Sequence, residues 1–371
     1  MFSFVPIESY YQVYINLCLI LVIFTLFHTW VLKIDDKRNL IFVNIAGIFL
    51  LIFIILYMGQ REISGIYFGD TINYARTFQN YAIGGQINDV GDRGWHLFMK
   101  FMASIVSLHP FFTIAAFIYV FPLYKISKKY FGEYWYYAFI MFLVSFSFWS
   151  YGVNGVRNGA ACSLFLWGLC YERKKIVMAI FFYLAISFHK TLLLPVLAYI
   201  VTYIYNNPKF FFVGWLLCIP LSLAASGLWI GLFASLGFGD DRLAGYLTGS
   251  SDEATFASTG FRWDFLFHSA FAVFAGWYFV IKKKYQDSTY NRLLIVYLIC
   301  NGFWVLVIQA NYSNRFAYLS WFMMAIIIIY PMLKKQFFRN QHFMIGKVML
   351  AYFSFTYLMY YIYYATPEPI T

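Results

Sequence analysis

The stretch LIFVNIAGIFLLIFIILYM, residues 40–58, contains no charged side chain. A helix rises ~1.5 Å per residue, so this stretch is about long enough to cross the ~30 Å hydrocarbon core of a membrane. It follows directly on KIDDKRN, residues 33–39, which is rich in charge. The two segments together predict a membrane-spanning helix that begins at a charged hinge.

The composition extends this prediction to the whole chain. Of the 371 residues, 62% are hydrophobic and only 12% are charged, which is far from the balance of soluble proteins. The first residues contain no basic segment, so they do not read as a cleaved signal peptide. Because no polar stretch is long enough to fold around a core of its own, we expect a single integral membrane domain over 1–371.

The basic residues are concentrated in short hinges, which hold 18 of the 27 lysines and arginines. The six hinges are KIDDKRN, KISKK, ERKK, NNPK, KKKYQDSTYNR and KKQFFRNQHFMIGK. Basic loops between membrane helices remain on the cytoplasmic side. The net charge of +11 therefore reflects membrane topology, and we predict no nucleic-acid partner.

With these hinges inside, the sequence predicts about twelve transmembrane helices and places both termini outside. The predicted crossings are 12–32, 40–58, 107–124, 134–152, 153–171, 176–192, 193–205, 210–234, 263–281, 293–309, 316–333 and 348–364. The chain must cross an odd number of times between Gly59 and Lys125. We therefore interpret the short apolar segment 94–106 as an interfacial or re-entrant helix, with Lys100 on its polar side.

The outer face carries a different kind of basic residue from the inner face. Its two long segments are 59–106, the first outer segment, and 235–262, the second outer loop. The inner hinges contain 14 lysines and 4 arginines, whereas the outer face has 7 arginines and 2 lysines. Arginine binds phosphate or carboxylate at two points, which indicates a phosphorylated or acidic ligand outside. The alternative is that these arginines are structural and pair with the outer acids.

Two ionisable residues are predicted to lie deep in the membrane. Arg157 is 15 residues before the ERKK hinge, and His189 is 14 residues after it. Both positions correspond to about 21–22 Å above the inner surface. Ionisable groups at such depth are functional candidates. The glycines around Arg157 either allow a ligand to approach closely or simply pack helices together.

Asp70 also has two interpretations. It follows Gly69 and precedes helix-compatible sequence, so it could cap a helix or act as a catalytic base. Asp92 and Arg93 are adjacent and could pair with each other. The five cysteines lie in apolar spans without metal-type spacing, and no P-loop, HExxH or C-x-x-C motif occurs. We therefore expect no metal and no cofactor.

Four short motifs occur in order along most of the chain: GDTINY, RGWHLF, GVRNGAA and FHKT. They resemble the EpsG-type family of polysaccharide polymerases, the Wzy-like proteins of bacterial O-antigen, capsule and exopolysaccharide assembly. The family commonly has Arg-Gln before a small residue, whereas this chain has Arg157-Asn158, a change that affects the expected sugar contacts. The resemblance implies an all-α polytopic membrane protein similar to the C-type glycosyltransferase fold.

The resemblance also implies an activity. Such a glycosyltransferase would join undecaprenyl-diphosphate-linked oligosaccharide repeat units at the outer face of the bacterial cytoplasmic membrane and release undecaprenyl diphosphate. Its site would face the periplasm or cell exterior. The expected partners are the lipid-linked oligosaccharide, membrane lipid and a chain-length regulator protein.

The chemistry then suggests roles for individual residues. Release of a diphosphate anion requires cationic groups rather than a nucleophile on the enzyme. We expect Arg157 to be catalytic, with His189 favoured as the base and Asp70 positioning the acceptor. The substrate-binding candidates are Arg262, Arg315, Arg61, Arg93, Asn154, Asn158, Lys190 and Tyr74.

Other functions make different demands on the sequence. An O-antigen ligase uses the same donor and needs the same kinds of residues, so the sequence separates it poorly from a polymerase. A flippase or other transporter would favour repeated halves and polar residues reaching both faces, and we find neither. An acyltransferase would favour an HxxxD-type arrangement, which the FHKT motif does not supply.

Overall fold

The computed structural model describes residues 2, 4–87, 91–235, 260–310 and 313–364. Every regular element in these ranges is helical, which confirms the prediction of an all-α polytopic membrane protein. The second outer loop, predicted at 235–262, lies almost wholly outside the described residues.

Sixteen α-helices occur in the described ranges. They are α1 (Tyr10–Val31), α2 (Lys37–Gly59), α3 (Gly65–Phe68), α4 (Thr71–Ala82), α5 (Arg93–Ala103), α6 (Leu108–Phe131), α7 (Trp135–Leu143), α8 (Phe148–Val153), α9 (Val156–Leu169), α10 (Lys175–Phe188), α11 (Leu193–Ile204), α12 (Pro208–Ser235), α13 (Trp263–Trp277), α14 (Ser288–Leu306), α15 (Asn314–Lys334) and α16 (Gln341–Tyr363). A π-helical turn, Tyr278–Lys282, directly continues α13.

In the described part of the chain, eight helical segments are long and apolar enough to cross a membrane. They are Ile7–Val31, Lys37–Gly59, Leu108–Leu143, Pro208–Phe233, Trp263–Lys282, Ser288–Leu306, Asn314–Lys334 and Gln341–Tyr363. Two shorter apolar helices cover Lys175–Phe188 and Lys190–Ile204. The protein is therefore a multi-pass membrane protein, and the count of twelve crossings stays a prediction.

Aspartates in the basic hinges cap the N-termini of two of the long helices. The Asp36 carboxylate accepts hydrogen bonds from the backbone N–H groups of Arg38 (2.8 Å) and Asn39 (3.1 Å) at the start of α2. Asp287 accepts one from Tyr290 (2.9 Å) at the start of α14. Since the first N–H groups of a helix have no partner within it, these caps stabilise the point where each helix leaves its hinge.

The crossing predicted over 134–152 is not one continuous helix. α7 ends at Leu143, and the six-residue α8 begins at Phe148. The chain between them, 144–147, leaves the helical hydrogen-bond ladder, so carbonyl groups on both sides of the interruption need other partners. Neither piece alone reaches across a ~30 Å hydrocarbon layer at ~1.5 Å per residue.

Side chains of three other helices take up the carbonyls at this interruption. The bonds run from Tyr14 Oη of α1 to the Leu143 oxygen (2.5 Å), from Thr356 Oγ1 of α16 to the Val144 oxygen (2.9 Å) and from Tyr119 Oη of α6 to the Phe148 oxygen (2.9 Å). All three donor side chains are buried. The interruption is therefore a supported feature of the fold, because three carbonyl oxygens around it receive specific side-chain donors.

The chain divides into two compact units, which we describe separately. Unit 1 comprises Met1–Asn88, Arg93–Phe188 and Met332–Thr371, and unit 2 comprises Asp89–Asp92 and His189–Pro331. In unit 1, α1 packs on α16, α2 on α6, and α9 on both α6 and α10. In unit 2, α11 and α12 pack on α14. A single integral membrane domain over 1–371 stays a prediction.

The interfacial or re-entrant helix predicted at 94–106 is present as the amphipathic helix α5. Its apolar face buries Trp95 and Met99, while Lys100 Nζ on the polar side donates to Gln86 Oε1 at 3.3 Å. Trp95 meets the ring of Phe188 edge-on at 5.5 Å, which attaches α5 to the end of α10. Its helical structure is confirmed, and its position at a membrane surface stays a prediction.

Gly159 in α9 provides a test of this packing. A Cβ there would overlap the backbone oxygen of Tyr151 and lie 3.1 Å from the Tyr119 ring. We expect Gly159→Ala to destabilise the protein by about 1–3 kcal/mol, because a backbone atom cannot move aside cheaply. The measurement is the apparent melting temperature of the detergent-solubilised protein.

The matched control is Gly214→Ala in α12, where a Cβ would meet nothing within 4 Å. This change should leave the melting temperature unchanged or raise it slightly, because alanine is a better helix former by about 1 kcal/mol. Equal melting temperatures for the two variants would show that close approach at Gly159 does not matter.

Candidate active site

Arg61 anchors the first outer segment in unit 1. Its side chain is 1% exposed and lies two residues beyond the end of α2. Nη2 donates to the Val153 oxygen and to Thr71 Oγ1, both at 2.9 Å, and Nη1 donates to the Met58 oxygen. The Phe112 ring faces the guanidinium at 5.0 Å. One arginine thus connects the end of α2, the start of α4 and the end of α8.

Burial lowers the pKa of Arg61 to about 9, so the side chain still carries its charge at neutral pH. A buried cation is costly unless hydrogen bonds surround it, and here two backbone oxygens and a hydroxyl do so. The prediction that Arg61 binds substrate is untested. Its contacts in the structure are with the protein.

The Gly69–Thr71 turn is fastened to the end of α8. The Asp70 N–H donates to Asn154 Oδ1 at 2.8 Å, and Thr71 Oγ1 donates to the Val153 oxygen at 2.5 Å. Gly69 has a φ of +51°, and a Cβ there would lie 2.5 Å from Asn154 Oδ1. Only glycine can adopt this φ without strain and also leave room for the Asn154 side chain. The GDT part of the first motif and the Val153-Asn154 pair directly before the third motif therefore form one structural unit, which we call the GDT–VN clamp (69–71 with 153–154).

The side chain of Asp70 does not cap the helix that follows it. Asp70 occupies the N-cap position of α4, but its side chain makes no capping hydrogen bond. Its Oδ1 instead accepts a hydrogen bond from Asn73 Nδ2 at 3.2 Å, and the residue is partly exposed. The capping interpretation therefore does not account for this carboxylate.

Arg157 lies in the first turn of α9, immediately after the clamp. The helix begins with Gly155 at its N-cap position, which has no side chain to bond the first N–H groups. A helix N-terminus attracts anions through these N–H groups and the helix dipole. Arg157 is partly exposed and adds a guanidinium to the same turn. This end of α9 is therefore suited to a phosphate or diphosphate.

The other unit 1 candidates lie in different environments. Asn158 is buried and accepts a hydrogen bond from Cys162 Sγ at 3.5 Å. Tyr74 in α4 meets the Trp95 ring edge-on at 5.7 Å. Arg93 is exposed at the start of α5. Asn154 is exposed and accepts the Asp70 N–H, so the structure directly connects these two candidates.

In unit 2, the motif containing His189 is fastened by Asp92. The Asp92 carboxylate is buried and accepts the Lys190 backbone N–H at 2.8 Å. His189 Nδ1 and Thr191 Oγ1 are 2.7 Å apart, and the direction of that hydrogen bond depends on the imidazole tautomer. His189 can accept a proton at Nε2 only when Nδ1 donates to Thr191. That His189 and Arg157 lie at the same depth in the membrane stays a prediction.

The two arginines of unit 2 that the sequence analysis proposed as substrate-binding residues differ in their contacts. Arg262 forms a two-point ion pair with Asp264, from Nε to Oδ1 (2.9 Å) and from Nη2 to Oδ2 (2.6 Å). Its guanidinium also lies 3.8 Å from the centroid of the Phe265 ring. A phosphate at Arg262 would therefore compete with Asp264. Arg315 is exposed in the first turn of α15.

Residues 63–370 match the EpsG family. The chain belongs to the EpsG family. The match includes the clamp, Arg157, His189 and Arg315, while Arg61 precedes it. No curated protein and no solved structure matches the chain.

Membership in the EpsG family is consistent with a Wzy-like polysaccharide polymerase, and it supports a general role in polysaccharide biosynthesis. Within the residues that the structure describes, no group of three or more His, Cys, Asp or Glu side chains could hold a metal ion.

Sequence patterns alone did not assign a structural role to several residues that build the site. Thr71 and Val153 complete the clamp, and Asp92, considered only as a partner for Arg93, fastens the histidine motif. The available signal was local: Gly-Asp-Thr before a helix is a turn pattern. The partner of that turn is 82 residues away in sequence, which a local pattern does not reveal.

Arg61→Gln should destabilise the protein by about 3 kcal/mol, because a glutamine cannot donate to Met58, Val153 and Thr71 together. The measurement is the melting temperature of the solubilised protein. Arg76→Gln is the matched control, since Arg76 is exposed on α4, and it should melt like the wild type. If the two variants melt at the same temperature, Arg61 is not an anchor.

Proposed function

We propose that this EpsG-family protein is a polymerase that joins undecaprenyl-diphosphate-linked oligosaccharide repeat units. The reaction takes place at the outer face of the bacterial cytoplasmic membrane. The observation that carries this proposal is the Asp70–Asn154 hydrogen bond, which ties a carboxylate-bearing turn to the segment leading into Arg157. The family match and the multi-pass helical fold support the same function.

In this mechanism the start of α9 receives the diphosphate of the donor. Arg157 and the first N–H groups of the helix neutralise the charge that develops as the bond from the anomeric carbon to the diphosphate oxygen breaks. Undecaprenyl diphosphate leaves with that electron pair. The acceptor hydroxyl oxygen bonds to the anomeric carbon and gives up its proton to a base on the enzyme.

We assign the base to Asp70, whereas the sequence favoured His189. The Asp70 carboxylate is not used as a helix cap, and its backbone is bonded to Asn154, three residues before Arg157. The structure thus connects Asp70 to the segment that leads into Arg157, whereas the contact given for the His189 ring is with Thr191 in its own motif. The exposed amide of Asn154 is also suited to a sugar hydroxyl.

Arg157→Lys should abolish or severely shorten the surface polysaccharide, with a fall in polymerisation rate of about 100-fold. Lysine keeps the charge but loses the planar fork that binds a phosphate at two points. The measurement is the polysaccharide ladder on a gel, from a strain that lacks the gene and is complemented with each variant. Arg173→Lys, an exposed arginine in the ERKK hinge, should restore the normal ladder.

The uncomplemented strain tests the function itself. Single-repeat glycans without a ladder are the result expected for a polymerase. Complete absence of surface glycan would point to a ligase or flippase and contradict the proposal. A normal ladder with Arg157→Lys, at normal protein level, would remove Arg157 from the reaction.

Asp70→Asn and His189→Gln distinguish the two bases. Asparagine keeps the Asp70 backbone bond to Asn154, so its effect reports on the carboxylate itself. We expect Asp70→Asn to lower the rate at least about 100-fold, and His189→Gln to retain most of it. Asn73→Ala removes the neighbouring hydrogen bond and should be nearly neutral. The opposite ranking of Asp70→Asn and His189→Gln would assign the base to His189.

A further inference from the structure

Unit 2 contains a cavity of about 690 Å³ that belongs to neither candidate site. It is formed by the NNPK and KKKYQDSTYNR hinges. The lining residues are Asn206, Asn207, Pro208, Lys209, Val280, Ile281, Lys284, Tyr285, Gln286, Asp287, Ser288 and Asn291. We call it the hinge pocket.

The hinge pocket lies at the level where membrane spans end. Pro208 begins one candidate span, Ser288 begins another, and Ile281 is one residue from the end of a third. Both hinges carry the basic residues that predict the cytoplasmic side. A pocket at this level therefore opens among lipid headgroups, while Val280 and Ile281 provide an apolar wall for the first carbons of lipid chains.

Two amides of the pocket need hydrogen-bond donors. The Oδ1 atoms of Asn206 and Asn291 are buried and have no hydrogen-bond partner. Asn206 Nδ2 donates to the Ser288 oxygen at 3.2 Å, which fixes the orientation of that amide. A buried acceptor without a donor is unfavourable, so a ligand with hydroxyl groups would gain affinity from supplying one.

The charges of the pocket favour an anion. Lys209 and Lys284 are both exposed along its lining. Asp287 is the one acidic residue among the lining residues, and its carboxylate is occupied by donors of the protein. These donors are Tyr290 N–H (2.9 Å), Tyr285 Oη (3.1 Å) and Tyr330 Oη (3.3 Å). The two ammonium groups are thus left to meet a ligand phosphate.

We propose that the hinge pocket binds an anionic phospholipid whose headgroup carries hydroxyl groups, as in phosphatidylglycerol. The phosphate lies between Lys209 and Lys284, and the headgroup hydroxyls donate to Asn206 and Asn291. The apolar wall and the level of the pocket select the lipid over a soluble phosphate of the same chemistry. This site does not depend on the proposed polymerase activity.

The test measures lipid binding to the full-length, delipidated protein in neutral detergent by native mass spectrometry. The pocket variant is Lys209→Gln/Lys284→Asn. Asparagine suits position 284, because Lys284 has a φ of +52° and asparagine tolerates this conformation. At about fivefold per lysine, the pocket variant should bind phosphatidylglycerol about 30-fold more weakly than the wild type.

The matched control is Lys128→Gln/Lys129→Gln, which removes two exposed lysines from the last turn of α6. It should bind phosphatidylglycerol like the wild type. Melting temperatures of all variants show whether the fold is retained.

Two further probes test the headgroup and the source of the phosphate. Phosphatidylmethanol has the same charge without the hydroxyls, so the wild type should prefer phosphatidylglycerol. Asn206→Ala/Asn291→Ala should remove this preference. Equal binding of phosphatidylglycerol by the wild type and the lysine variant would overturn the proposal. Displacement of the lipid by an equal concentration of sn-glycerol 3-phosphate would also overturn it, in favour of a soluble ligand.

Discussion

The need to satisfy backbone oxygens where a membrane chain leaves its helices governs much of this structure. In a bilayer no water is present to bond a freed carbonyl, so each break requires a donor from within the protein. At 144–147 those donors are a threonine and two tyrosine hydroxyls from three different helices. The composition reflects this need, since 33 of the 371 residues are tyrosines, which pair an apolar ring with a hydroxyl.

The same constraint builds the candidate site. The last carbonyls of α2 and α8 come together near the Gly69–Thr71 turn, and Arg61 donates to one of each. A lysine ammonium has three donors on one atom, whereas the arginine fork spreads five over a plane and reaches partners on separate elements. A buried guanidinium therefore has structural contacts here, although an arginine predicted on the outer face first suggests a ligand. Arg61 positions the Gly69–Thr71 turn by satisfying backbone oxygens. The proposed chemistry depends on side chains that these contacts do not use.

The sequence predicted the parts of the fold that depend on composition along one segment. Long apolar runs between basic hinges correspond to long helices, and the amphipathic pattern at 94–106 corresponds to α5. It did not predict the interruption at 144–147, because LVSFSFWS contains no proline, glycine or charge. Nor did it predict the clamp, since that feature depends on two turns far apart in the chain. The motifs suggested candidate site residues, but they did not show which of those residues bond to each other.

Asp70 illustrates why an acidic residue before a helix is ambiguous until its backbone is known. A capping aspartate normally has an extended backbone, which directs its carboxylate to the N–H groups of the first turn. Asp70 instead has a φ of −63° and a ψ of −5°, because the preceding Gly69 makes the turn. Its own N–H is then bonded by Asn154, and its carboxylate points away from capping geometry. Gly69 and Asn154, 85 residues apart in sequence, thus hold Asp70 in a conformation in which its carboxylate does not cap the helix. A carboxylate that is not used as a cap can take a catalytic role.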